Sequence, residues 1–545
     1  MNHVITPYGG TLVNLIDPEQ GDALRQEALN LPSLDLDWRQ QCEIELLMNG
    51  AYSPLTGFMT RAQCRRVETS RQLDNDTFWP QAVTLASPQP AAKTLQPGDR
   101  VALRDGEGFM LAVLTVSDAW DANGDRLLGG EIEGVALPQH SDFSGLRVTP
   151  ADMRALFARR DWQRVVAWQA HQPMHRAQVE FCLKSAIDHD AKLLLHPIVG
   201  GDITEAPKYF GLVRSLIAIR DRFPAESTEL SLLPAPPHEA SARELLLRAI
   251  VARNYGCCML IVGGEYQPNG HARRGDDIKQ PNGDWPLTEL ARKVGVQLIS
   301  YPRLVYAEER AEHLPESESP IGTRILTLGA EEFQHRMQAG LKIPEWYSFP
   351  ELLAELRRQR PPLDRQGLTI FFTGLSGAGK STLARALAAR LMETGDRCVT
   401  LLDGDIVRRH LSSELGFSKV HRDTNVRRIG YVASAITDNH GIAICAPIAP
   451  YRQTRRDVRA MVEAVGRFVE IHVSTPIEIC ESRDRKGLYA KARAGLLPEF
   501  TGISDPYEIP EKPDLTIDTT DLEVDAAVEQ ILIKLEHEGL LRRSA

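Results

Sequence analysis

The pattern of apolar and polar positions changes several times along the 545 residues. Through residues 1 to about 165, short alternating apolar runs stand between Gly and Pro, as at 101–104 and 109–116, which predicts a β-rich domain. From about 166 to 325, apolar runs alternate with helical spacing, which is typical of an α/β domain. The strand candidates there are 164–168, 192–196, 258–262 and 296–300, and the clearest helix candidate is 243–254.

The last third of the chain alternates strand and helix patterns again. Residues 326–365 are helical and charged and end in an Arg-Pro-Pro-Leu-Asp linker. Beyond them, five strand candidates with helices between predict a parallel sheet covered on both faces. They are 368–373, 398–402, 441–446, 468–473 and 515–518. We therefore expect an α/β multidomain protein with domains at 1–165, 166–325, 326–365 (small, connecting) and 366–545.

Composition narrows the class of protein. The contents of 43% hydrophobic and 25% charged residues are those of a globular protein. A net charge of −10 argues against a nucleic-acid binder, since no basic surplus replaces counterions. Eight cysteines without a CxxC pair predict reduced, buried thiols. With no 18-residue apolar run and no apolar signal core, we expect a cytoplasmic protein with no membrane partner.

The strand candidate 368–373 runs directly into a phosphate-binding pattern, Gly374-x4-Gly379-Lys380-Ser381. Lys380 is expected to reach the β- and γ-phosphates, and the Ser381 hydroxyl is expected to hold Mg²⁺. The next helix would then point its positive end at the nucleotide. The alternative is a Gly-rich turn before an ordinary helix. The predicted ATP-binding residues are Gly374, Leu375, Ser376, Gly377, Ala378, Gly379, Lys380, Ser381 and Thr382.

Acidic residues follow the next strand of this predicted sheet. Asp403 and Asp405 come at its carboxyl end, where they would face the nucleotide and could accept a proton or bind water around Mg²⁺. The alternative is an Asp-Gly turn with solvated acids.

Three further segments carry basic, amide or aromatic groups. A helix over 422–428 presents basic and amide groups that suit an anion, although such a run can also be a solvated helix face. Segment 483–491 is basic around a central Gly, and segment 500–508 places an aromatic ring in a Gly/Pro loop. Together the last two predict a mobile lid whose ring stacks on a base, the alternative being two surface loops.

These motifs, in this order, resemble adenylyl-sulfate (APS) kinase over nearly all of the final 180 residues. The sequences are GLSGAGKST, LDGDxVR, the 422–428 cluster, RDRKGLYAKARAG and FTGISDPYE. That family transfers the γ-phosphoryl of ATP to the 3′-hydroxyl of APS, giving PAPS and ADP. The resemblance implies catalytic roles for Lys380, Asp403 and Asp405, with Asp405 as general base. It implies APS contacts from Arg408, Arg422, Asn425, Ile448, Lys486 and Phe500, with Lys486 and Phe500 in the lid.

Two positions depart from the kinase pattern. The usual DGDN ends in Ile406, and the usual Ile-Ser-Pro-Tyr carries Ala449.

The first 350 residues resemble ATP sulfurylase, which implies a PUA-like first domain and a Rossmann-like α/β domain. The resemblance rests on the sequences at 49–59, 195–202, 248–257 and 343–350. The chemistry of that family lies in two motifs, QTRNPxHxxH and GRDHAG. Of these, the chain keeps Gln169 and His175. The replaced positions are His171, Gln172, Gln178, Gly264, Glu265 and Tyr266.

These replacements remove charge where two anions must meet. Sulfate has to be held against the α-phosphate of ATP, and Arg supplies a permanent charge that neutral His and Gly lack. Each lost transition-state donor typically costs ~10²–10³ in rate. We therefore predict an APS kinase with a silent sulfurylase-like region, using Mg²⁺ with ATP, as a homo-oligomer between dimer and hexamer.

Two other functions stay open at this point. One is a bifunctional PAPS synthetase with both activities. The other is a PAPS-binding regulator without kinase activity, which the intact P-loop disfavours.

Overall fold

The structure is a computed structural model. It describes residues 4–17, 19, 21–122, 124–169, 171–200, 206–236, 241–263, 287–416, 418–484 and 487–542, without the side chains of 206–208, 287, 288 and 405. The chain forms two compact units. The first comprises Met1–Ala330 and Ile343–Gln359, and the second comprises Glu331–Lys342 and Arg360–Ala545. The finer predicted boundaries at 165, 325 and 365 remain predictions.

The first part of unit 1 is β-rich, as predicted. Its largest sheet has the order β1-β4-β5-β6-β2, with β3 also pairing with β6, and its centre is a long antiparallel pair, β5 with β6. The elements are α1 (Gly21–Ala28), β1 (Ser33–Asp35), α2 (Trp38–Met48), β2 (Gly57–Phe58), α3 (Arg61–Ser70), β3 (Leu85–Ser87), α4 (Pro90–Thr94), β4 (Arg100–Arg104), β5 (Met110–Ala122), β6 (Asp125–Gly134) and α5 (Pro150–Arg159).

The second part of unit 1 is an α/β layer around a parallel sheet of order β10-β8-β7-β12-β13. The four predicted strands and the 243–254 helix are present. The elements are β7 (Val165–Trp168), α6 (Arg176–Asp188), β8 (Lys192–Leu195), β9 (Ile198–Val199), α7 (Ala206–Ala218), β10 (Thr228–Leu230), β11 (Leu233–Pro234), α8 (Ala242–Asn254), β12 (Met259–Val262), α9 (Leu287–Val294), β13 (Gln297–Ser300), β14 (Leu304–Ala307), β15 (Glu312–Pro315), β16 (Ile325–Leu326) and α11 (Pro350–Gln359). Helix α10 (Ala330–Gln338) belongs to unit 2 except for its first residue.

Asn254, at the end of α8, joins the sequence-distant parts of unit 1. Its side chain is fully buried, accepts a hydrogen bond from the Tyr8 amide at 2.8 Å and donates to the carbonyls of Ala51 and Ser53 at 2.9 and 3.1 Å. These bonds satisfy backbone groups that would otherwise be buried without partners. The motifs at 49–59 and 248–257 therefore contact each other as scaffold.

Unit 2 contains a parallel sheet of order β18-β19-β17-β20-β21, as predicted. Strand β17 is buried along its whole length and lies in the middle. The elements are β17 (Leu368–Thr373), α12 (Lys380–Thr394), β18 (Val399–Asp403), α13 (Gly404–Leu411), α14 (Lys419–Asp438), β19 (Ile442–Ala446), α15 (Arg452–Glu463), β20 (Arg467–Val473), α16 (Ile477–Arg483), α17 (Leu488–Arg493), β21 (Leu515–Ile517) and α18 (Val524–His537).

The structure bears on two further sequence-based expectations, one about the cysteines and one about membrane-spanning helices. All eight cysteines are free, but Cys398 is exposed and Cys258 is half-buried, so the expectation of buried thiols fails at these two. Cys398 directly precedes the outer strand β18 of its sheet, where the neighbouring elements cover it less. Among the described residues, no helix is long and apolar enough to cross a membrane.

Candidate functional site

The candidate site lies where β17 ends in unit 2. Gly374 follows the strand with φ of +152°, and a Cβ there would lie 2.4 Å from the Val473 carbonyl oxygen, so only glycine fits. Gly379 has φ of +100° and precedes α12, whose first residue is Lys380. The loop therefore curls back onto the positive end of a fifteen-residue helix.

Neighbouring elements bind the carbonyls of this loop. The Tyr489 hydroxyl donates to Ser376 O at 2.8 Å. Ala378 O lies within hydrogen-bond distance of the Thr475 and Thr519 hydroxyls, at 3.1 and 3.0 Å. In a trans peptide the N–H points opposite to its C=O. The amides that follow these carbonyls are therefore turned toward the other side of the loop, where a phosphate would sit.

Lys380 and Ser381 open α12. Lys380 is 7% exposed, and its Nζ donates to Leu375 O at 2.7 Å across the loop. Ser381 is half-buried in the first turn. Among the described residues, no three His, Cys, Asp or Glu side chains form a cluster that could hold a metal ion. The Ser381 hydroxyl could hold a divalent ion together with phosphate oxygens of a nucleotide. This donor set fits Mg²⁺, which is usually held by few protein ligands together with substrate phosphates.

The acidic pair divides between a strand and a helix. Asp403 ends β18, is 2% exposed, and has its Oδ2 3.3 Å from the Arg385 guanidinium. Asp405 lies in α13, and its side chain is outside the described atoms. Arg408, on the same helix, donates to Gly416 O at 2.7 Å.

Arg422 connects helix α14 to segment 499–505. It donates to Glu499 O at 2.9 Å and to the Thr501 hydroxyl at 2.7 Å, and its Nη2 lies 2.8 Å from Asp505 Oδ2. Its Nε and the Oδ1 of Asn425, one turn later, are buried without a hydrogen-bond partner among the described atoms. Unpaired buried polar atoms are costly, so this face of α14 is suited to a ligand with both donors and acceptors.

Phe500 and Ile448 are both connected to the phosphate loop, Phe500 through Tyr489 and Ile448 directly. The Phe500 ring packs edge-on against Tyr489, with centroids 5.1 Å apart, and Tyr489 binds Ser376. Ile448 O accepts the Gly374 amide at 3.3 Å. The structure therefore brings the predicted ATP loop, Ile448, Phe500 and Arg422 into one connected set of contacts. Lys486 lies outside the described residues.

Several residues that support this site were missed by the sequence reasoning. Thr475 and Thr519 each come two residues after a strand, at the carboxyl edge where ligands bind in such sheets, and that position could have identified them. Tyr489 lies in the predicted lid segment but was not singled out. Asp505 and Arg385 gave no signal of their own.

The described residues of the first sulfurylase motif lie around the end of β7 and the start of α6 in unit 1. Gln169 is 2% exposed, and its Oε1 accepts from Arg248 at 3.2 Å, whereas His171 and Gln172 are exposed. Gln178, in α6, has a buried Oε1 without a hydrogen-bond partner among the described atoms. Gly264, Glu265 and Tyr266 lie outside the described residues. The described residues of this motif therefore differ in environment, since Gln169 is buried, Gln178 is half-buried, and His171 and Gln172 are exposed.

His175 precedes α6 and is held in place by its neighbours. Its Nδ1 is 2.9 Å from the Ser348 hydroxyl, and its ring contacts Tyr347. Burial lowers the pKa of His175 to about 4. The imidazole is therefore neutral near pH 7 and adds no positive charge to this end of the sheet.

Comparisons with known proteins divide the chain in the same order. The PUA-like domain family matches residues 5–129, the ATP-sulfurylase family matches 144–359, and the adenylylsulphate kinase family matches 366–518. These matches confirm the resemblances and the fold class predicted from the sequence. A kinase domain of this kind uses ATP with a divalent metal ion.

Relatives that match nearly the whole chain support the same assignment of domains. The chain is 38% identical to proteins named sulfate adenylyltransferase from Chaetomium globosum and from Emericella nidulans, covering 99% of each chain. It is 66% identical to a solved structure named hexameric APS kinase from Thiobacillus denitrificans, covering 100% of both chains with a TM-score of 0.86. The chain therefore belongs to the family in which a PUA-like domain, an ATP-sulfurylase domain and an adenylylsulphate kinase domain follow one another in one polypeptide.

Proposed function

We propose that this protein transfers the γ-phosphoryl group of ATP to the 3′-hydroxyl of APS, giving PAPS and ADP. The observation that carries the proposal is the chain of contacts from Ser376 through Tyr489 and Phe500 to the segment held by Arg422. One end of it is built for phosphate. The other end offers an aromatic ring and unpaired polar groups to a nucleotide acceptor.

Each residue of the site has a defined task in this proposal. The loop amides and Lys380 stabilise charge on the β- and γ-phosphates as the phosphoryl group leaves. The Ser381 hydroxyl would hold Mg²⁺, which would supply positive charge that offsets the charge of the phosphates. Asp405 accepts the proton of the attacking hydroxyl, and the buried Asp403 orders water near the metal site. APS is held and oriented by six residues, Arg408, Arg422, Asn425, Ile448, Lys486 and Phe500.

We also propose that the sulfurylase half is silent. The support is the joint replacement at 171, 172, 178, 264 and 266, together with the neutral state of His175. Arg248, the cation bonded to Gln169, is 7% exposed and already donates to the side chain and to the carbonyl of Gln169. Two of its N–H donors are therefore already occupied by Gln169 and are not free to bond a sulfate ion.

The second candidate function is a bifunctional enzyme with both activities. The names of the curated full-length relatives favour it, since they are called sulfate adenylyltransferases. The 66% identical protein, in contrast, is named for the kinase and is called hexameric. From that name we also propose that this chain assembles as a homo-oligomer.

Two half-reactions on the purified full-length protein test these proposals. ADP formation that needs APS supports the kinase, and its absence in a folded protein would overturn the kinase proposal. Pyrophosphate release that needs sulfate, above that of a His171→Ala variant, would establish the bifunctional enzyme instead. Restoring His171→Arg alone should not create this activity, because the second motif still lacks its Arg and His.

A further inference from the structure

Tyr489 is the residue through which the phosphate loop and Phe500 touch. Its hydroxyl donates to Ser376 O at 2.8 Å, and its ring meets the Phe500 ring edge-on at 5.1 Å and 79°. Tyr489 is 3% exposed and lies in the core of unit 2, so both contacts are made by a buried side chain.

Both contacts are specific in geometry. A hydrogen bond to a loop carbonyl fixes the orientation of that peptide, and the Ser376 carbonyl belongs to the peptide whose Gly377 amide is turned toward the phosphate side of the loop. An edge-on aromatic pair fixes the tilt of the second ring. A change at the loop therefore reaches the Phe500 ring through one rigid side chain.

We propose that Tyr489 is a positioning residue that couples nucleotide binding at the phosphate loop to acceptor binding at Phe500. The proposal rests on the proposed kinase function. A nucleotide that orders Ser376 also orders Tyr489 and holds the Phe500 ring where the acceptor base stacks. By linkage, the acceptor strengthens nucleotide binding by the same factor.

The test measures APS binding by calorimetry with and without Mg·ADP, which cannot transfer a phosphoryl group. In the wild-type protein we expect Mg·ADP to tighten APS binding about 5-fold or more, within the usual range of coupling between sites. In Tyr489→Phe, which keeps the ring and loses the hydroxyl, this factor should fall to within about 2-fold of unity. Phe500→Leu, which removes the other partner, should lose the coupling as well.

The matched control is Tyr431→Phe, since Tyr431 is 69% exposed on α14 and should leave the coupling unchanged. The proposal would be overturned if Mg·ADP left APS binding by the wild-type protein unchanged. It would also be overturned if Mg·ADP tightened APS binding by Tyr489→Phe as much as by the wild-type protein. Thermal unfolding identifies a variant that fails to fold, in which case the other variant decides. Failure of the kinase function is visible separately, as absent ADP formation in the wild-type protein.

Discussion

Lys380→Met separates the chemical role of the P-loop lysine from its place in the fold. Lys380 is 7% exposed, and its ammonium group donates to Leu375 O at 2.7 Å. Methionine retains the length and packing of the stem and removes the charge. Kinase turnover should fall by at least ~10², since a charge-assisted contact to the transferring phosphoryl group is lost. That loss corresponds to about 2.7 kcal/mol of transition-state stabilisation.

The free energy of unfolding of Lys380→Met should change by less than the transition-state stabilisation does. The lost hydrogen bond to Leu375 O would cost about 1.5–3 kcal/mol, but the variant no longer desolvates an ammonium group, which offsets most of it. A net change of about 1 kcal/mol shifts the Tm of a domain this large by about 2–4 °C.

The assay couples ADP formation to an indicator reaction, with thermal unfolding of the same samples. Lys512→Met, at an exposed lysine of unit 2, is the matched control and should leave both quantities near the wild-type values. Near-normal turnover in folded Lys380→Met would refute the assignment of the phosphate site.

Three further predictions address mechanism, scaffold and pH. Ala449 offers no hydroxyl for a phosphorylated intermediate, so γ-labelled ATP without APS should leave the protein unlabelled, and Asp405→Asn should cut turnover while APS binding persists. Asn254→Ala should lower the free energy of unfolding by about 3 kcal/mol in urea, because three buried bonds are lost, whereas the surface control Asn439→Ala should change it by less than about 1 kcal/mol. Burial and the nearby Arg248 lower the pKa of His196 to about 3. Below pH ~6.5 the unfolded state therefore binds a proton that the folded state does not, and the free energy of unfolding decreases as the pH is lowered. His196→Gln should lose about 2 kcal/mol less of its free energy of unfolding between pH 7 and pH 5 than the wild-type protein does. The control is His410→Gln, at an exposed histidine, which should behave like the wild-type protein. An equal loss in His196→Gln and in the wild-type protein would contradict this prediction.

The elements and their order could be predicted because they depend on local pattern. Buried parallel strands are continuous apolar runs, and the five strands of unit 2 lie within one residue of their predicted bounds. The P-loop could be predicted because its backbone geometry demands glycine, as Gly374 shows against Val473 O. Such constraints act within a few residues, so they are visible in the sequence.

Only the tertiary structure decided which side chains meet. Tyr489 and Ser376 are 113 residues apart, and Arg422 and Thr501 are 79 apart, and no periodicity encodes such pairs. The sequence predicted that Arg422 binds an anion, but it did not indicate that Arg422 also bonds to segment 499–505. It likewise named Gln169 without pairing it with Arg248, its buried partner on helix α8. The physical reason is that burial and pairing are set by how the strands and helices pack, and that packing brings together residues that no local pattern relates.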